Sequence, residues 1–254
     1  MRQNPIQALN DEITHQGYHM LLCVSGYAAE SEAEIVATLL TRRPDGIVLT
    51  GIHHTRALKK MILQAAIPVV EIWDMTPTPI DMLVGFSHEK TGYQLGLFLV
   101  KKGYQRPALI WTEDQRARQR RRGLEDALQQ LKISVQSVVP VSLPASMQGG
   151  REAFAVLEDL PNIDIVICSS DTVAQGVMVE AETQQLRVPE DIAVAGFGDL
   201  PFAAFHRPSI TTIRIDRQTI GQQAVRALLA RLAGRNDYPQ VIDVGFEIIQ
   251  RESA

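Results

Sequence analysis

The sequence predicts an α/β protein built on parallel sheets with helices on both faces. Short apolar, β-branched runs alternate with longer runs of helical period, one strand–helix unit recurring roughly every 25 residues. Several strand runs are continuously apolar, as strands buried on both faces are. The 254 residues, 45% apolar and 21% charged, suffice for one large domain or two lobes of about 120 residues each. The same composition excludes other classes. Two cysteines cannot staple a chain of this length, and the apolar fraction is that of a globular protein. No uncharged apolar stretch reaches the ~18 residues of a membrane span. A net charge of −4 argues against the chain as a whole binding nucleic acid.

The elements follow in order. Ile6, Leu9 and Ile13 have helix spacing, with no strand and no signal-peptide apolar region before them. Residues 20–24, between Gly17 and Gly26, read as a strand. Ile35, Val36, Leu39 and Leu40 give a helix over 32–43 one buried face. Pro44-Asp45-Gly46 turns the chain into a strand at 47–49. Leu58, Ile62 and Leu63 mark a helix, and Pro68 opens a strand at 69–73. Strands at 82–84, 108–111, 135–141, 163–168 and 192–195 then alternate with helices over 88–102, 116–131, 150–160 and 172–185. Ile220, Ala224, Val225, Leu228 and Leu229 mark a late helix. Cys23 and Cys168 fall inside apolar strands and are expected to be buried thiols in a reducing compartment.

In open parallel sheets, ligands sit at the carboxyl ends of the strands. That singles out Thr50, Trp73-Asp74, Glu113-Asp114, Ser169-Ser170-Asp171 and Phe197-Gly198-Asp199. Arginines stand at 116, 118, 120, 121 and 122, where a strand gives way to a helix. A helix start and a guanidinium fork both favour an anion. Helix spacing puts Arg116 and Arg120 on one face and Arg118 and Arg122 on another, so a solvated basic face competes with an anion grip. Ser170, Asp171 and Asp199 read either as caps and turns or as a polar cleft edge. Trp73 and Trp111 read as core residues or as flat surfaces for a sugar ring. The adjacent His53 and His54 have no partner at ligand spacing, so no metal is expected. Phosphate loops, dinucleotide fingerprints and nucleophile elbows are absent, so neither a cofactor nor catalysis is expected. The residues by themselves describe a two-lobed α/β ligand binder, with an anion among the candidate ligands.

Seven stretches point further: RRPDGIVLTG (42–51), IPVVEIWD (67–74), VGFSHEKTGYQLGLFLVKKGYQRPALI (84–110), RRRGLEDAL (120–128), SSDTVAQGVM (169–178), RVPEDIAVAGFGDLPFA (187–203) and RPSITTIRIDRQTIGQQAVRALLARLAG (207–234). In this order they resemble the effector-binding core of the LacI/GalR family of bacterial transcription regulators, over nearly the whole chain. HTRALKKMI, with VVEIWD and VGF, is most similar to the gluconate-operon repressor branch. The resemblance implies two Rossmann-like lobes in a periplasmic binding protein-like (type I) fold, with an effector in the cleft. The first lobe would be 1–86 plus 216–242, and the second 87–215 plus 243–254.

The resemblance also assigns roles. Arg120 matches the family's effector-binding arginine, with Arg118 as a second candidate. Thr50 matches a cleft position, and Phe86 an aromatic contact. Trp73 and Asp74 fall on the loop that carries a sugar-contacting aspartate, displaced here by one residue. Ser170 stands where the family has asparagine before Asp171. Gly198 replaces the first of two aspartates, leaving Asp199. Losing an acidic hydroxyl acceptor near Arg120 suits a sugar acid such as gluconate. The implied protein is a regulator rather than an enzyme: a cytoplasmic homodimer with a sugar or sugar-acid effector, no cofactor and no membrane. It would meet operator DNA only through an amino-terminal helix-turn-helix head. That head and the core's first strand are not found in this sequence, so the first lobe is expected to be incomplete or completed by a neighbour. The alternatives are a periplasmic sugar-binding protein of a transporter or chemoreceptor and, less favoured, an enzyme acting on a sugar or sugar phosphate.

Overall fold

The computed structural model describes residues 5–26, 29–157, 162–235 and 237–254. In chain order its elements are α1 (Pro5–His15), α2 (Ala29–Leu40), β1 (Ile47–Thr50), α3 (Arg56–Ala65), β2 (Val69–Ile72), β3 (Met82–Gly85), α4 (His88–Lys101), β4 (Pro107–Thr112), α5 (Gln115–Gln130) and β5 (Ser137–Val141). Then come α6 (Met147–Ala155), β6 (Ile165–Cys168), α7 (Asp171–Thr183), β7 (Ala193–Ala195), β8 (Thr212–Arg214), α8 (Arg217–Leu232), β9 (Val241–Asp243) and β10 (Glu247–Ile249). The chain divides into two compact units, one within 1–87 and 216–245, the other within 88–215 and 246–254.

The first unit holds a parallel sheet in the order β1-β2-β3-β9. Strands β2 and β3 are buried at every position, Glu71 of β2 included. Helix α8 lies against β2 and β3, and α1 lies on α8, burying Leu9 and Ile13 but leaving Ile6 exposed. Val36, Ile47, Leu49, Leu58, Ile62 and Val69 form a core between α2, α3 and the sheet. Each such side chain contributes about 1.5–3 kcal/mol on full burial. Thr55 caps α3 by accepting from the Leu58 N–H.

One polar cluster ties this unit together. The His54 side chain is 2% exposed. Its Nδ1 lies 2.9 Å from a Glu32 carboxylate oxygen, and its Nε2 lies 2.9 Å from the Gly51 carbonyl and 3.4 Å from Glu71. Glu71, also buried, accepts the Ile80 N–H at 2.6 Å. Burial opposes charge on His54 and is the largest single influence. The hydrogen bonds and charges of Glu32 and Glu71 together outweigh it and raise the imidazole to about 9.

The strand expected at 20–24 does not form. These residues are irregular, with Leu21, Leu22 and Val24 exposed. An apolar run becomes a strand only through a ladder, and among the described residues no strand pairs with it. Cys23 is therefore exposed rather than buried. Cys168 is buried within β6, and its surroundings push its thiol up, burial first and the Asp171 charge second.

The second unit holds a parallel sheet in the order β5-β4-β6-β7. A small antiparallel pair, β8 with β10, lies in the same unit. Pleat alternation divides β4 between two cores. Ala108 and Ile110 join Phe154, Val173 and Val177 of α6 and α7. Leu109 and Trp111 turn to the other face, where Trp111 Nε1 donates to the Ala117 carbonyl of α5 at 2.8 Å. Helices therefore cover both faces, and Trp111 is a core tryptophan. Helices α4 and α5 pack at glycines: a Cβ on Gly92 would overlap the Arg120 carbonyl oxygen, and one on Gly123 that of Glu89. The helix expected over 150–160 is α6, which starts three residues earlier; positions 158–160 lie outside the described residues.

His54 predicts a pH dependence. Its folded-state value lies above its unfolded one, so its stabilising contribution is complete below about pH 6.5 and is lost as pH rises through about 9. The first unit's melting temperature is expected to fall by a few degrees across that window in wild type. The H54Q variant should lose that slope, and circular dichroism melts at stepped pH would show it.

Candidate functional site

In the second unit, the carboxyl ends of β4 and β6 run directly into helices. Asp114 caps α5 by accepting the Ala117 N–H at 3.0 Å, and it accepts the Thr112 hydroxyl at 2.9 Å. Ser170 caps α7 by accepting the Val173 N–H at 3.3 Å. Arg120 lies one turn beyond Ala117, on the same inward face of α5, and is 8% exposed. Its Nη1 is 3.1 Å from His88 Nδ1, at the first residue of α4. Its Nη2 donates to the Ser169 carbonyl at 3.1 Å. The guanidinium lies over the Phe197 ring, 4.0 Å from its centroid, and the His88 ring stands 6.2 Å from Phe197. These contacts offset the cost of taking a guanidinium out of water. The Gly92 and Gly123 crossing lets α4 approach closely enough to bring His88 against Arg120.

Arg118, Arg121 and Arg122 go elsewhere. Two positions along a helix are about 200° apart, so Arg118 is not brought together with Arg120. It is 60% exposed, and its Nε donates to Glu113 at 3.2 Å. Arg121 pairs with Glu125, and Arg122 lies 3.9 Å from Glu89. Such exposed pairs contribute at most about 1 kcal/mol each.

Asp171 and Asp199 are both buried and both hold the unit's own frame. Asp171 accepts the Thr212 hydroxyl at 2.5 Å and the Leu200 N–H at 2.7 Å. Asp199 adopts a left-handed backbone with φ 47°. It accepts from Arg214 Nε at 2.7 Å and from Arg251 Nη2 at 2.6 Å. Arg214 also reaches Glu247 at 3.0 Å, tying β8 to β10.

In the first unit, Thr50, Trp73, Asp74 and Phe86 lie at the carboxyl ends of β1, β2 and β3, along one edge of the sheet. Thr50 is exposed and Asp74 is buried. Trp73 has φ 76°, an unusual backbone for an aromatic residue. Its N–H donates to the Val84 carbonyl at 3.2 Å, and its ring meets Phe86 edge-on at 6.0 Å. A side chain at Gly85 would overlap the Asp74 backbone, so this glycine permits the close approach of the Trp73-Asp74 loop to β3.

Sequence reasoning did not single out His88, Arg214 or Arg251. His88 carried one usable signal, its place where a strand turns into a helix. Arg214 and Arg251 carried none, because they meet Asp199 only through the folded chain.

The two parallel sheets and their polar strand ends define a binding-protein-like α/β core. The profile of the periplasmic binding protein-like domain matches residues 97–254. The chain is 33% identical over 253 residues to the HTH-type transcriptional regulator GntR of Pseudomonas aeruginosa, covering 98% of this chain and 73% of that protein. It is 30% identical over 234 residues to the regulator of the same name from Escherichia coli, covering 91% of this chain and 70% of that one. Among solved structures, transcription regulator GntR from Chromobacterium violaceum superposes with a TM-score of 0.93 at 30% identity, over 98% of this chain and 93% of that one. A LacI family transcriptional regulator from Silicibacter pomeroyi gives 0.90 at 29% identity, over 98% and 92%. The chain belongs to the LacI family of transcription regulators.

Removing one partner of a buried ion pair typically costs about 3–5 kcal/mol, and Arg214 is partly solvated, so the low end applies. The D199N variant is therefore expected to lose about 3 kcal/mol of stability. Its melting temperature should drop accordingly in thermal denaturation.

Proposed function

We propose that this chain is the effector-sensing and dimerisation core of a LacI-family repressor of sugar or sugar-acid metabolism, and that Arg120 holds the carboxylate of a gluconate-like effector. The buried guanidinium carries this reading. It is held by an imidazole nitrogen, a backbone carbonyl and an aromatic face. A guanidinium gains more from an anionic ligand than from a hydroxyl, because a charge-assisted pair with a planar carboxylate is the stronger hydrogen bond. Its place at the strand ends is where open parallel sheets take ligands. Asp199, the acidic candidate for sugar hydroxyls, is already held by two arginines.

The function is regulatory. An effector that prefers one arrangement of the core shifts the population toward it, and by linkage operator affinity changes by the same factor. Operator contact through a helix-turn-helix head, a homodimeric state and a cytoplasmic location belong to the same proposal. Relatives named as HTH-type regulators support it. No helix among the described residues is long and apolar enough to cross a membrane.

Calorimetric titration tests the reading. Gluconate is expected to bind and glucose to bind far more weakly. Truncating a buried charged partner costs about 2 kcal/mol or more, so R120A should weaken gluconate binding about thirtyfold or more. Binding of neutral hexoses without aldonates, or an unchanged gluconate affinity in R120A, would contradict it.

A further inference from the structure

We infer that His88 is the positioning and specificity-determining residue for Arg120, fixing the plane of the guanidinium so that it meets a carboxylate in one orientation. This rests on the reading of Arg120 as the effector's anion contact.

The geometry calls for an acceptor at this position. A guanidinium has N–H groups only and always donates. His88 Nδ1, 3.1 Å from Arg120 Nη1, must therefore be the acceptor. The proton of the ring then sits on Nε2. Ser169, on a different element, accepts from the other terminal nitrogen. Two acceptors at the two ends of the fork fix rotation within the guanidinium plane, and Phe197 beneath it fixes the tilt. Arginine's five N–H groups form a rigid fork, so fixing two of them sets the direction of the rest. His88 is 3% exposed and stands at the start of α4, where the glycine crossing with α5 sets its distance. A misplacement of the fork would cost most for a ligand bound through two parallel hydrogen bonds, and little for one bound through hydroxyls.

The role requires an acceptor at this position rather than an imidazole as such. His88→Asn supplies an amide oxygen, whereas His88→Leu supplies none. Titration of gluconate into the whole chain should show H88L about tenfold or more weaker than wild type. H88N should recover most of that loss, and thermal melts of the same samples should show both variants folded. Where H88L does not fold, H88A replaces it. A second readout needs no ligand. In 15N NMR of the unliganded protein, the Arg120 Nη1–H signal should be protected from exchange in wild type and H88N, and lost in the variant without an acceptor. Wild-type affinity in H88L, or H88N as weak as H88L, overturns the inference. Wild-type protein that ignores gluconate overturns the proposed effector instead. The Arg120 signal then still decides the positioning role: equal protection in wild type and H88L overturns it.

Discussion

A guanidinium buried at the end of a parallel sheet has to be held on every side, and the second unit is arranged around that requirement. Two glycines, Gly92 and Gly123, let α4 and α5 cross closely enough for His88 to reach Arg120. The turn after β6 presents the Ser169 carbonyl, and the turn after β7 presents the Phe197 ring. Each contact comes from a different element, so the charge at Arg120 depends on the whole sheet-and-helix frame. The frame in turn depends on Asp171 and Asp199. These bury their carboxylates against Thr212, Leu200, Arg214 and Arg251, fastening the β6–α7 and β7 turns to β8 and the carboxyl-terminal residues.

The first unit uses the same strand-end logic with different chemistry. Its edge carries an exposed threonine, a buried aspartate and an edge-on pair of aromatics, with Trp73 held in a left-handed backbone by its loop. Its charged cluster lies elsewhere. His54 bridges Glu32 and Glu71, coupling α2 and the loop before α3 to β2. Two buried or half-buried carboxylates are tolerable there because a cation lies between them.

Much of this was legible in the sequence. Continuously apolar strands separated by helix-period runs identify a parallel α/β fold, and that fold directs attention to the strand ends; Arg120 is singled out from its cluster by the family resemblance. The bland readings of Trp111 as core and Ser170 as a helix cap also describe what the structure shows. The run at 20–24 misled because apolarity specifies burial or pairing only when a partner strand exists, and no local signal reports that. Strands β8, β9 and β10 escaped notice because each is three residues long, and β9 and β10 have no buried residue. The arginine cluster could not be resolved by spacing alone. Helix phase separates Arg118 from Arg120, but only the folded α4 shows which face turns inward. The two clamps on Asp199 come from 15 and 52 residues away, a distance over which sequence pattern carries no information.

On the proposed reading, the buried Arg120 fork, rather than the surrounding carboxylates, recognises the effector. The most direct measurement is a crystal structure of the chain grown with gluconate. The gluconate carboxylate is expected on the Arg120 guanidinium, with the His88 and Ser169 contacts retained and Asp199 still bound to Arg214 and Arg251. Gluconate bound with its carboxylate away from Arg120, or with Asp199 released from its arginines to take the sugar hydroxyls, would contradict it.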